Sequence, residues 1–374
     1  MDPNLISGFL FVIAGAICGG SFGLPSKFAA EDSPWESLWG PFFFFATILI
    51  PVTLGPWMVD GLFATCREAG WSGIALPLAF GFLWGLGSMT LGMSFAFIGL
   101  SLAYAINYGA QIAFGSMAPM LLHNAEQVPT TRGYVIMAGV AVCLLGVVVC
   151  GRAGVLKSRS FEQADPEASR QQSGKRKPKM LIGLALAFIS GILCACYAVA
   201  FSYGGDAMEV SQKSFGNEEW RSTFVVTALI LWGGAVSSCL YCAFQLSKNG
   251  TWGRLARPGA GRLLLLAAVM ACLHDGAILC WGVGVSYLDL SDVGVPVGYA
   301  VFMSFAIIVG NVNGFLTREW KGASRESVAW ILAGIAVLII GVCVLAKGQM
   351  MPKDDEQPPA AEAKVGSHEL PADG

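Results

Sequence analysis

The sequence predicts an all-α integral membrane protein whose ten transmembrane helices form two inverted five-helix repeats. Three observations lead there. Of 374 residues, 55% are hydrophobic and only 13% charged, against roughly 25% charged in a typical soluble domain. Mean hydropathy is +0.62, so the solvent for most of the surface must be lipid. Ten stretches reach the about 20 apolar residues that a spanning helix needs. One of them recurs 195 positions later in the chain.

In chain order the ten segments are 5–26, 37–59, 74–97, 101–122, 133–151, 180–203, 222–246, 262–285, 291–316 and 328–346. The first reads as a retained membrane helix rather than a cleaved leader. A secretory signal opens on basic residues, and here Asp2 is the only charged side chain before Lys27. The fifth and sixth segments are separated by 152–179, a Gln/Ser-rich basic stretch expected to be a flexible loop. The tail 347–374 carries Pro358, Pro359 and scattered acids and reads as disordered. The expected divisions are therefore a first repeat at 1–151, a basic cytoplasmic loop at 152–179, a second repeat at 180–346 and the tail.

Lys and Arg set the orientation. The odd-numbered connections hold 16 of them and the N-terminus, even-numbered connections and tail hold 7. Positive charge stays inside, so both termini are expected on the periplasmic side. A formal net charge of -2 offers nothing to attract nucleic acid. The expected partners are the lipid bilayer and a small solute, in a monomer or homodimer.

The repeat is seen by laying Ile136–Arg152 over Ile331–Lys347. Eight of seventeen positions are identical, among them Gly139/Gly334 and Gly146/Gly341. The same offset pairs Tyr104 with Tyr299 and Gly115 with Gly310. Ala14–Cys18 resembles Ser190–Cys194 more weakly. Apolar Gly/Ala/Val helices can also look alike by chance. Five is an odd number, so a duplicated unit enters the membrane upside down. Inverted repeats are a transporter architecture, with the solute near the midplane.

Polar residues at membrane depth mark the candidate site. In the fourth segment Tyr104, Asn107, Tyr108 and Gln111 share one helical face. They suit a cavity for a neutral polyol, or alternatively an interhelical hydrogen-bond seam. Trp84 and Ser88, one turn apart in the third segment, and Trp281 and Tyr299 are further candidates for a cavity wall or for the core. Asn311 lies deep in the ninth segment. His274 and Asp275, mid-span in the eighth, are candidates for carrying a coupling proton or another cation. Adjacent residues point about 100° apart on a helix, so both are not expected to face one ligand; the other reading is a pair that stabilises the bundle. Helix prolines such as Pro51 either shape a gate or are fixed bends. The paired cysteines Cys194/Cys196 and Cys239/Cys242 lack companion histidines at zinc-site spacing and read as small buried hydrophobes. No cofactor, nucleotide loop or nucleophile–base constellation is recognised, so an enzyme is not expected.

From Pro25 to Trp39 the chain reads PSKFAAEDSPWESLW. This is similar to the proline–basic element and Trp-Glu-x-x-Trp motif of the L-rhamnose–proton symporter family, carried here by Pro25, Lys27, Trp35, Glu36 and Trp39. Phe80–Gly87, Gly151–Lys157, Met303–Phe305 and Arg318–Trp320 are further matches, and the likeness covers nearly all of the membrane part. It implies a member of the drug/metabolite transporter superfamily, a sugar importer of the bacterial inner membrane driven by protons. Lys27 and Glu36 carry over as motif residues; interfacial anchoring is their alternative role. The polar face of the fourth segment and the His274–Asp275 pair stand outside those motifs. Competing readings are an exporter or facilitator of another metabolite, and a membrane sensor that moves nothing.

Overall fold

The computed structural model describes residues 3–30, 33–123, 125–164, 176–257, 259–289 and 295–351. Among them every regular element is helical. Eight helical spans there are long and apolar enough to cross a membrane, and Val301–Leu316 is a shorter apolar helix.

The first span is α1 (Pro3–Ser21) continued by a 3-10 turn at Leu24–Phe28. The second joins α2 (Trp35–Phe44) to α3 (Ile50–Met58) through a π-helical turn at Phe45–Leu49. Pro51 stands two residues after that turn, as the second residue of α3. A proline cannot donate to the preceding turn, and the widened turn absorbs the missing bond.

Next, α4 (Leu62–Ile98) is longer than the third segment, because a short helix precedes the span. Gly70 separates the two with φ +65°, a conformation in which a side chain is strained. Then come α5 (Leu100–His123) and α6 (Thr131–Ala164). The latter does not stop at residue 151. It continues 13 residues into the stretch expected as loop, where Arg152 lies over the Trp330 ring and Lys157 over Trp320, 4.3 and 4.6 Å from the ring centroids. Cation–π contact and the buried Lys157 stem hold this extension.

The sixth segment is broken at Ala195 into α7 (Arg176–Cys194) and α8 (Cys196–Ser202). A short amphipathic α9 (Gly205–Phe215) leads to α10 (Glu219–Lys248), then α11 (Ala260–Asp289), α12 (Val295–Leu316) and α13 (Arg325–Gln349). Ser324 caps α13 by accepting from Ser327 N–H at 3.1 Å. The expected disordered tail begins inside α13, and 352–374 lie outside the described residues.

Glycines set the closest helix approaches. A methyl built on Gly139 of α6 would lie 2.7 Å from Leu345 Cγ of α13, and one on Gly334 of α13 2.5 Å from Cys150 Sγ of α6. Likewise Gly146 approaches Leu338 at 2.8 Å and Gly341 approaches Cys143 at 2.6 Å. Elsewhere α1 packs on α11 and α12, while α7 packs on α4 and α5. Small residues at these crossings let backbones close without loss of side-chain entropy.

Candidate functional site

A cavity of about 200 Å³ lies in the middle of the bundle. Trp84 and Ser88 of α4, Asn107, Tyr108 and Gln111 of α5, and His274 and Trp281 of α11 line it, joined by Phe22, Tyr197 and Phe302. Seven residues singled out from sequence thus meet on one wall or another. The chain achieves this by bringing α1, α4, α5, α7, α8, α11 and α12 together around one space.

The polar groups are tied into their supports. Asn107 Nδ2 donates to Ser190 Oγ at 2.7 Å, and Ser190 donates to the Gly87 carbonyl at 2.8 Å. Tyr108 Oη donates to the Gly19 carbonyl at 2.9 Å. Tyr197 and Thr227 share a hydrogen bond at 3.0 Å. On α11, His274 Nδ1 lies 2.7 Å from Asp275 Oδ1. The imidazole lines the cavity against the rings of Phe22, Phe42 and Trp84, at 5.5, 5.9 and 5.7 Å between centroids. Asp275 stands behind it, and its Oδ2 is buried without a hydrogen-bond partner. The two adjacent side chains therefore do not both face the cavity, yet they are bonded to each other. That arrangement bonds a cavity-lining imidazole to a buried carboxylate behind it.

Three sequence candidates lie elsewhere. Tyr104 shares the helical face of Asn107 but sits below the cavity, fully buried. Its Oη accepts from Gly23 N–H at 2.9 Å and its ring packs 5.0 Å from Phe95. The face is continuous, but the cavity ends one turn above Tyr104, where Phe22 closes it. Asn311 is buried at the end of α12, hydrogen-bonded to Ser101 Oγ and to the Ile307 carbonyl. Asp275 is the third, and the side chain of Tyr299 lies outside the described residues.

The motif residues form a separate cluster. Pro25 is buried in the 3-10 turn. Lys27 Nζ pairs with Glu319 Oε1 at 2.8 Å. The same carboxylate accepts from Leu100 N–H at 2.7 Å and Ser101 N–H at 3.1 Å, at the start of α5, where a helix favours negative charge. Trp320 Nε1 donates to Ser101 Oγ at 3.1 Å. Trp35 stacks on Trp39 at 5.6 Å, and Trp39 fills the space left by Gly92. Glu36 is buried and accepts from Asn249 Nδ2 at 2.8 Å and Thr251 Oγ1 at 3.0 Å. It ties α2 to the end of α10 rather than resting at the interface.

Sequence reasoning missed Phe22, Tyr197 and Phe302. A tyrosine three residues after Cys194 in mid-span was the available signal for Tyr197. The aromatic rings carried none, because 23 phenylalanines in an apolar chain do not distinguish themselves.

Comparison with known proteins places this geometry. Curated L-rhamnose-proton symporters from Pectobacterium atrosepticum and Cronobacter sakazakii are 22% and 25% identical to this chain over 358 residues, 93% of this chain and 99% of theirs. One from Salmonella typhi is 24% identical over 355 residues, with the same coverage. The model of the L-rhamnose-proton symport protein family matches residues 1–351. A helical bundle with several spans long and apolar enough to cross a membrane, matched over residues 1–351 by that model, belongs to the L-rhamnose-proton symport protein family, a family of transporters rather than enzymes.

Proposed function

We propose that this protein is a secondary transporter of the bacterial inner membrane that takes up L-rhamnose or a related monosaccharide together with a proton. The observation that carries the proposal is the His274–Asp275 pair: a bonded imidazole and carboxylate, the imidazole facing a cavity whose other polar groups are hydroxyls and amides. Hydroxyls and amides suit sugar hydroxyls, and Trp84 and Trp281 offer rings to the apolar C–H faces of a pyranose. A proton bound at His274 neutralises the excess negative charge of Asp275, so that the loaded site crosses the membrane without an unpaired carboxylate.

In this reading the chain has ten passes in two inverted repeats, 1–151 and 180–346, joined by the basic 152–179 stretch. The contact pairs on α6 and α13 support it. At the offset of 195, Gly139 and Leu345 exchange with Gly334 and Cys150, and Gly146 and Leu338 exchange with Gly341 and Cys143. Packing of α1 on α11 and α12 has its counterpart in α7 on α4 and α5. A two-fold axis in the membrane plane between the halves accounts for such exchanges. Both termini are then periplasmic. Lys27–Glu319 and the aromatic cluster of Phe22, Phe95 and Tyr104 close the cytoplasmic end.

The test is uptake of labelled L-rhamnose into proteoliposomes under an imposed pH gradient. Uptake is expected to rise with the gradient, to collapse with a protonophore, and in Asp275→Asn to persist only as gradient-independent exchange. Uptake by the unaltered chain that ignores a protonophore would sink the coupling.

A further inference from the structure

Asn107 is completely buried on the cavity wall, and its Oδ1 has no hydrogen-bond partner. The reason lies behind it. Ser190, also fully buried, spends its only proton on the Gly87 carbonyl at 2.8 Å. The oxygen it turns to Asn107 can therefore only accept, and Asn107 Nδ2 donates to it at 2.7 Å and to Cys194 Sγ at 3.9 Å. Both amide hydrogens are used inside the wall. Turning the amide over would set Oδ1 against the lone pairs of Ser190, acceptor against acceptor. The orientation of the amide is thus decided by its hydrogen-bond network, and what it leaves over is a single buried acceptor.

We infer that Asn107 Oδ1 receives one hydroxyl hydrogen of the transported solute, and that Ser190 is the positioning residue that keeps this acceptor presented. The inference rests on the transport reading above and narrows it to a class of solute. Tyr108 follows the same logic, since its proton goes to the Gly19 carbonyl and only lone pairs remain. Asn107 and Tyr108 thus fix two acceptor positions on the wall, and there the solute must bring the donors. A neutral polyhydroxylated molecule does so. The anionic group of a sugar acid or sugar phosphate, which only accepts, has no hydrogen to give at those two positions.

The experiment titrates the full-length protein in proteoliposomes with L-rhamnose, its mono-O-methyl ethers and rhamnonate. A methyl ether keeps the oxygen and loses the donor hydrogen. Wild-type protein is expected to bind one of the ethers at least about tenfold more weakly than L-rhamnose, as a site built for a hydroxyl does, and rhamnonate more weakly still. Asn107→Leu is expected to bind L-rhamnose as weakly as that ether and to lose the distinction. Ser190→Ala, which frees the amide to turn over, is expected to shrink the ratio while the other ethers keep theirs, an outcome that loss of packing alone does not produce. An unchanged ratio in Asn107→Leu or Ser190→Ala, or wild-type protein that binds every ether or rhamnonate as well as L-rhamnose, overturns this inference while leaving proton-driven uptake standing. Failure of the wild-type chain to bind L-rhamnose at all overturns both.

Discussion

Glu319 and Lys27 offer a pair whose worth can be worked out from the structure. The Glu319 side chain is 5% exposed and that of Lys27 30%. The carboxylate takes three donors: Lys27 Nζ and the backbone N–H groups of Leu100 and Ser101. Replacing Glu319 by Gln keeps one oxygen and turns the other into a donor facing a donor. A charge-assisted hydrogen bond contributes about 1.5–3 kcal/mol. Breaking a fully buried pair costs about 3–5 kcal/mol, and the partial exposure of Lys27 screens this toward roughly 1–2 kcal/mol. Glu319→Gln is therefore expected to destabilise by about 3 kcal/mol. Lys27→Met is expected to lose only about 1–2 kcal/mol, because Glu319 keeps its two backbone donors and the helix end. In the double variant the two losses should overlap by about 1 kcal/mol. The assay is unfolding by SDS titration from mild micelles, followed by far-UV circular dichroism, for the four proteins of the cycle. Strictly additive losses, with a coupling under about 0.3 kcal/mol, would refute the pairing and return Lys27 to the role of a solvated interfacial anchor.

Two further outcomes follow from packing. Gly139→Ala and Gly334→Ala place a methyl 2.7 and 2.5 Å from Leu345 Cγ and Cys150 Sγ, so each is expected to cost about 1–3 kcal/mol by the same unfolding assay; a large cost at one position and none at the other would speak against their equivalence. Asn249→Ala removes a donor from the buried Glu36 and is expected to destabilise by about 1–3 kcal/mol, with thermal unfolding of the detergent-solubilised protein as the check.

How much of the site was legible depended on whether a residue's role is local. Asn107, Tyr108 and Gln111 were readable because helical periodicity alone puts them on one face, and polar groups in lipid must turn inward. Tyr104 shares that periodicity but not the cavity. Where the cavity ends is decided by Phe22, which arrives from a different helix. The His274–Asp275 pair was readable as ionisable chemistry at membrane depth. That the imidazole faces the cavity and the carboxylate backs it required knowing which side of α11 meets α1 and α2.

The motif residues show the same limit. Trp35, Glu36 and Trp39 stand out as a pattern, but nothing local tells that Glu36 is held by Asn249 and Thr251, more than two hundred residues away. Glu319 stood within a matched motif with no role attached, since the α5 terminus it caps is equally remote in the chain.

Sequence by itself determined that the chain lives in lipid, that it is helical, and that no charged or nucleotide-binding chemistry dominates it. Composition and hydrophobic run length act residue by residue, and a backbone in hydrocarbon has to satisfy its own hydrogen bonds within the helix. Only the tertiary structure decided which polar atoms are spent and which remain. The proton of Ser190, the orientation of Asn107 and the partnerless oxygen of Asp275 follow from neighbours on other helices. Packing between elements, which no periodicity encodes, sets those neighbours.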